Sequence, residues 1–230
     1  LMPYSIVSIV SNVSIDSINS RHLCSPCFLE SHHLTNLYPI LVFMFEPFSL
    51  HSSSAETLSC LVEPATFSDL PLIAKISSDR EGSSYERALK SLKLLVTQHG
   101  GKEPPFLLKA VHHQEIVGFS KTVWLEPEIS GDPLGLVPGW YLGGVVVSPD
   151  FRRRGIGTQL TDARLEAIFR VTESAYYFAN HRNKTSIHFH EGFGFQEVKR
   201  AIEVPGVTFT NGVGILYSLE KTGYHDQVSV

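Results

Sequence analysis

The residues with the clearest chemical potential lie in one short segment in the middle of the chain. The apolar run Val145–Val147 is followed by Ser148-Pro149 and then by a turn rich in arginine and glycine, Arg152–Gly157. This pattern predicts a strand that ends at the proline and a helix that begins near Gly157. A helix start has unpaired backbone N–H groups and the positive end of the helix dipole, and glycine lets a bulky group approach the main chain. The segment is therefore predicted to bind a phosphate or diphosphate.

Two common phosphate-binding motifs do not fit this turn. The phosphate loop of nucleoside triphosphatases needs a lysine after its last glycine, but Thr158 follows Gly157. The dinucleotide fingerprint needs Gly-x-Gly-x-x-Gly, and only its first two glycines, Gly155 and Gly157, are present. Three successive arginines add charge and donors for phosphate oxygens, and they are Arg152, Arg153 and Arg154.

The turn resembles the acetyl-CoA loop of the GNAT superfamily of N-acetyltransferases, Arg/Gln-x-x-Gly-x-Gly/Ala, whose fixed positions are Arg152, Gly155 and Gly157. A second resemblance follows at residues 183–195, where Asn is followed three positions later by Ser, then by His and Gly-Phe. Together the two motifs extend the resemblance over residues 57–221. It implies the GNAT acyl-CoA N-acyltransferase fold, an α/β fold with a central mixed, mostly antiparallel sheet flanked by helices on both faces.

The resemblance also implies an activity, the transfer of an acetyl group from acetyl-CoA, as co-substrate, to a primary amine by direct attack in a ternary complex. The turn would hold the diphosphate, and the strand before it would pair with the pantetheine arm. The cofactor-binding residues so implied are Val145, Val146, Val147, Arg152, Arg153, Arg154, Gly155, Ile156, Gly157, Thr158, Asn180, Asn183 and Ser186. Asn183 is equally suited to capping a helix, and Ser186 to facing outward.

Candidate catalytic residues are His190, Tyr141 and Glu126. Relatives often have a tyrosine as general acid at the position of His190, and a histidine can donate a proton near neutral pH. The alternative is that His190 only packs near the cofactor sulfur. Tyr141 stands where some relatives have a basic carboxylate, but a tyrosine with a pKa of about 10 is a poor base. The ammonium proton could instead pass through water to Glu126, Glu128 or His113.

Acidic residues are frequent in the regions from which relatives build the acceptor pocket, and they are Asp79, Glu81, Glu86, Glu126, Glu128 and Asp132. This bias predicts a small, cationic amine as acceptor. The segment Val204–Phe209 could line the pocket with apolar contacts, so a partly aromatic amine also stays open. Two other functions compete with this one. The first is a catalytically silent acyl-CoA sensor, and the second is an acyltransferase that uses a longer acyl-CoA.

Composition narrows the class of protein. The chain has 230 residues, of which 43% are hydrophobic, and this suits one domain with an appendage. A formal net charge of −4 argues against nucleic-acid binding. No apolar stretch is long enough for a membrane span. The three cysteines, which show no disulfide pattern, favour the cytoplasm. The sequence leaves open whether the chain forms a homodimer.

The domain organisation is predicted in three parts. Residues 1–55 form a poorly ordered or non-conforming extension, residues 56–222 the GNAT domain, and residues 223–230 a tail. A Cys-x-x-Cys with neighbouring histidines in the extension is attributed to chance, so no metal site is predicted. The domain should run strand, two helices, three strands, helix, strand, helix and two strands.

Overall fold

The structure is a computed structural model that describes residues 56–81, 84–98, 103–125, 135–204 and 207–228. The predicted extension, with its Cys-x-x-Cys, lies outside these residues. In the described ranges the elements in chain order are β1 (Leu61–Pro64), α1 (Leu70–Glu81), α2 (Tyr85–Gln98), β2 (Leu107–His112), β3 (Glu115–Leu125), β4 (Gly139–Val147), α3 (Ile156–Phe169), β5 (Ser174–Asn180), α4 (Lys184–Glu191), β6 (Gln196–Ile202), β7 (Gly214–Glu220) and α5 (Lys221–Val228).

The strands form one sheet in the order β1-β2-β3-β4-β5-β7-β6. Every neighbouring pair is antiparallel except β4 and β5, which run parallel. This arrangement confirms the predicted mixed, mostly antiparallel sheet. The element order from β1 to β7 also agrees with the prediction.

Alternation along β2 shows that helices cover both faces of the sheet. Lys109 forms an ion pair with Asp69, the residue before α1, at 2.9 Å. Its neighbours Leu108 and Ala110 instead belong to a small buried cluster with Ile156 and Leu160 of α3. Helices α1 and α3 therefore lie on opposite faces. Helix α2 packs on the main core through three buried residues, which are Ala88, Leu92 and Leu95.

Residues 221–228, most of which belong to the predicted tail, form α5. Tyr224 is only 5% exposed. Its ring packs on Phe169 with the ring centroids 5.5 Å apart. Its hydroxyl donates to Asp162 Oδ1 at 3.1 Å. The docking of one aromatic side chain on α3 orders a segment whose own sequence, with a glycine in the first turn, is a weak helix former.

Candidate active site

The central feature of the site is a gap between β4 and β5. Both strands lie wholly within the described residues, and only one pair of them is in register, Tyr141 with Tyr176. Further along β4, Val145–Val147 pair with Gly118–Ser120 of β3 and have no β5 residue in register on their other side. The two parallel strands thus separate as they run toward the turn that follows β4.

A β-bulge lies where the separation begins. Ser120 is opposite Val145 and Thr122 is opposite Leu142, so both Gly143 and Gly144 face Lys121. A Cβ atom on Gly143 would lie 2.9 Å from Lys121 Cβ and 3.0 Å from its carbonyl oxygen. This close approach of two backbones requires glycine.

Helix α3 begins beside the gap, as the arginine- and glycine-rich turn predicted. Its N-cap, Gly155, has φ of 78° in the left-handed region that favours glycine, and no side chain caps the helix. A Cβ atom on Gly157 would lie 3.8 Å from Val145 Cγ1 and 3.8 Å from Phe189 Cζ of α4. Gly157 therefore faces the β4 edge of the gap, and a Cβ atom there would make ordinary van der Waals contacts. This uncapped, glycine-lined helix start suits the oxygens of a diphosphate.

The arginines of the turn differ in position. Arg152 Nε donates to Val147 O at 3.0 Å and so ties the turn to the end of β4. Arg153 is exposed and has φ of 59°. Arg154 Nε lies 3.5 Å from Glu56 O. Of the three guanidinium groups, that of Arg153 is the most accessible to solvent.

The segment before β1 is fastened to this turn by contacts that no local sequence pattern predicts. The Gln159 side chain donates to Leu58 O at 2.6 Å and accepts from Cys60 N at 2.9 Å. Leu58 N donates to Arg154 O at 3.0 Å. Because these residues are about 100 positions apart in the chain, only the folded structure reveals the pairing.

Sequence reasoning also missed Arg80. This residue lies in the last turn of α1, and its guanidinium donates to Val145 O at 2.9 Å. Helix α1 covers the opposite face of the sheet from α3. A cation from that face therefore reaches the stretch of β4 that is predicted to pair with pantetheine.

Helix α4 begins at Asn183, whose Oδ1 accepts from Ser186 N at 3.1 Å. The capping role that the sequence left open for Asn183 is therefore present. Ser186 is half-buried, and its carbonyl oxygen lies 2.8 Å from His190 Nδ1.

We expect Asn183→Ala to lower the free energy of unfolding by about 1 kcal/mol, because Ser186 N loses its acceptor. Asn183→Asp keeps an acceptor at the cap and should retain the stability of the parent. Urea denaturation measures both. Equal stabilities of the Ala and Asp variants would remove Asn183 from the cap.

His190 lies in the interior rather than at an accessible surface. Its side chain stacks on Tyr177, with the ring centroids 4.0 Å apart, and the residue is 7% exposed. Burial is the main cause that lowers the pKa of His190 to about 3. The short contact with Ser186 O identifies Nδ1 as the protonated nitrogen, and Nε2 is buried without a partner. The neutral ring thus has no proton to release at Nε2, and this argues against the predicted role as general acid.

The Tyr141 side chain is buried, and its hydroxyl is engaged both as donor and as acceptor. Its hydroxyl donates to Val137 O at 2.7 Å and accepts from Val137 N at 3.0 Å. Burial is the main cause that raises the pKa of Tyr141 to about 12. The phenol therefore anchors the segment that leads into β4, and it is a weaker base candidate than the sequence indicated.

We expect Tyr141→Phe to lower stability by about 1 kcal/mol through the loss of these hydrogen bonds. Turnover should stay at the parent level, because the loss of a general base would cost about 100-fold or more. Steady-state kinetics beside a denaturation curve separate the two effects. A loss of that size with intact folding would reinstate Tyr141 as the base.

The remaining predicted residues are Asn180, His113 and three carboxylates of the loop before β4. Asn180 is 2% exposed, and its side chain donates to Thr210 O and accepts from Arg182 N. Its carbonyl oxygen also accepts from Asn183 N at 2.8 Å, so both the side chain and this carbonyl are already engaged. His113 lies in the β2–β3 turn, and its neighbour His112 packs near Phe151, which precedes the arginine- and glycine-rich turn. Glu126, Glu128 and Asp132 lie outside the described residues.

On the α1 side of the sheet, the described residues at the β4–β5 gap include several aromatic side chains. Phe178 lies 6.1 Å from Tyr141, measured between ring centroids, and packs edge-on against Phe209. Of the acidic residues predicted for the acceptor side, Asp79 and Glu86 are exposed. The aromatic side chains at the gap therefore offer apolar contact area, while the carboxylates of Asp79 and Glu86 face solvent.

Two further observations concern the described residues alone. None of their helices combines the length and apolar character needed to cross a bilayer. They contain no group of three or more His, Cys, Asp or Glu side chains arranged to hold a metal ion.

Comparison with known proteins identifies the family. The family model described as "Acetyltransferase (GNAT) family" matches residues 71–195, more than half of the chain. The chain therefore belongs to the GNAT acetyltransferase family. A search of curated proteins finds no significant match.

Solved structures agree in fold. A GNAT-family acetyltransferase from Bacillus cereus is 18% identical, with a TM-score of 0.54 over 71% of this chain and 98% of its own. A ribosomal-protein-alanine N-acetyltransferase from Brucella melitensis is 20% identical, with a TM-score of 0.52 over 70% and 99%. An uncharacterized protein from Bacillus halodurans is 17% identical, with a TM-score of 0.56 over 73% and 87%. At these identities the likeness concerns the fold alone.

Proposed function

We propose that the protein transfers an acetyl group from acetyl-CoA to the primary amine of a small molecule. The observation that carries the proposal is the gap between β4 and β5, which opens directly onto the uncapped start of α3 at Gly157. A helix start of this kind suits a diphosphate, and a strand edge that no other strand covers suits an extended amide-containing arm.

In this proposal the acceptor amine attacks the thioester carbonyl carbon as the C–S bond breaks. The nitrogen loses a proton to water and the sulfur departs as thiolate. An alkyl thiol with a pKa of about 8.5 is an adequate leaving group without an acid, which agrees with the neutral, buried state of His190. The main chain at Val145–Val147 orients the arm, and the first turn of α3 holds the anionic end.

The acceptor is proposed to carry an apolar or aromatic portion beside its amine. Phe178 and Phe209 form an edge-to-face pair next to Tyr141 on the face covered by α1. An aromatic wall of this kind binds flat apolar groups. A small cationic acceptor, expected from the acidic residues of the sequence, remains the alternative.

The proposal is tested by mixing the protein with acetyl-CoA and a panel of aliphatic, aromatic and cationic amines, and following the release of free thiol. Turnover on one class of amine supports it and names the acceptor class. Binding of acetyl-CoA without turnover on any amine would favour a silent acyl-CoA sensor. A faster reaction with succinyl-CoA would favour an acyltransferase that uses a longer acyl group.

A further inference from the structure

One buried cation in the described residues has no role in the steps above. Arg164 of α3 is only 1% exposed and lies against the sheet among apolar neighbours such as Leu165 and Ile168. Burial lowers the pKa of its guanidinium to about 9. Buried arginines usually pair with carboxylates because desolvation of the charge is costly. In the described part of the chain Arg164 forms no such pair, so its retention needs another reason.

The contacts of Arg164 indicate that reason. Its NH1 group donates to Lys121 O and to Gly143 O, both at 3.0 Å, and NH2 donates to Thr161 Oγ1 at 2.9 Å. Lys121 and Gly143 are the residues on the two sides of the β4 bulge. One guanidinium therefore joins both strands at the point where their register shifts.

The bulge decides which way the following residues of β4 face. Tyr141 faces the α1 side, and with regular alternation Val145 would face that side too. After the bulge Val145 packs instead with the cluster of α3, where its Cγ1 approaches Gly157, and Val146 joins the main core. A slip of one residue would exchange these side chains between the faces and move the gap-lining edge away from the start of α3.

We propose that Arg164 is a positioning residue for cofactor binding, because it holds the β4 bulge that sets Val145–Val147 against the gap. The inference rests on the proposed function. The ligand is the same acyl-CoA. Arg164 acts by fixing the position of β4 and does not contact the reacting atoms.

The test uses Arg164→Met, with Arg170→Met at the C-cap of the same helix as a matched control, since the Arg170 side chain is 75% exposed. Arg164→Met leaves two carbonyl oxygens at the bulge without this donor but also removes the desolvation cost of a buried charge, so the two effects on stability oppose each other. We expect Arg164→Met to keep its melting temperature, to bind CoA about tenfold or more weakly in calorimetry, and to raise KM for acetyl-CoA with little change in kcat. The control should bind CoA as the parent does.

Undiminished CoA affinity in a folded Arg164→Met variant would overturn the inference. A parallel fall in melting temperature, CoA affinity and kcat would also overturn it, since that pattern marks a general structural role. If the Met variant does not fold, Thr161→Val, which removes the NH2 contact, should still weaken CoA binding, and unchanged affinity there would count against the inference. A parent protein that binds no CoA at all would instead refute the proposed function.

Discussion

Gly157→Glu is expected to abolish CoA binding. Gly157 is the second residue of α3 and faces Val145 and Phe189 across the gap. A carboxylate at this place would lie where the proposed diphosphate meets the helix start. Like charges brought together in a binding site cost several kcal/mol, and this corresponds to a loss of affinity of about 100-fold or more.

Two further substitutions at the same position separate charge from volume. Gly157→Ala adds a Cβ atom whose nearest neighbours lie at 3.8 Å, so it fits and should fold at least as well as the parent. Gly157→Gln has nearly the size of the Glu variant without its charge and should bind CoA with intermediate affinity. Calorimetry measures all three. Parent-like affinity in the Glu variant would show that no anion lies at the start of α3.

His190→Phe is expected to change acid stability rather than catalysis. The pKa of His190 is lowered to about 3 in the folded protein, mainly by burial, whereas an unfolded histidine titrates near 6.5. As the pH falls below about 6.5, the unfolded state takes up a proton that the folded state does not. Stability associated with the neutral ring is thus present above pH 6.5 and lost between about pH 6.5 and 3.

Given a folded pKa of about 3, the parent should therefore be about 2 kcal/mol less stable at pH 5 than at pH 8. The Phe variant should not show this loss. Phenylalanine keeps the stacking on Tyr177. Denaturation curves at the two pH values measure the difference, with His188→Gln on the exposed side of α4 as the control. A pH–rate profile that loses its alkaline limb in the Phe variant would instead make His190 a functional proton donor, because a general acid acts only while it is protonated.

Much of the fold followed from local patterns in the sequence. The apolar run that ends at Ser148-Pro149 marked β4, and Gly155 and Gly157 marked the start of α3. Both signals are local, because strand ends and helix starts depend on neighbouring residues. The alternative role of Asn183, as the N-cap of α4, is present in the structure, and its cofactor contact stays a prediction.

Long-range contacts could not be predicted in this way. Arg80 and Arg164 reach β4 from opposite faces of the sheet, and nothing in their neighbouring residues indicates a main-chain carbonyl as partner. The same limit explains His190. Its residue type indicated a proton donor, but its stacking on Tyr177 and its burial, which determine its protonation, come from packing between β5 and α4.

The attachment of the segment before β1 has a practical consequence for any shortened version of this protein. The match to the family begins at residue 71, yet Gln159 holds Leu58 and Cys60 beside the first turn of α3. Starting the protein at residue 71 would delete the edge strand β1 and uncover the buried flank of that turn. A shortened version should therefore keep the chain from Glu56 onward, because cuts or fusion partners placed after Thr57 would disturb the start of α3 before they affect the distant β6–β7 hairpin.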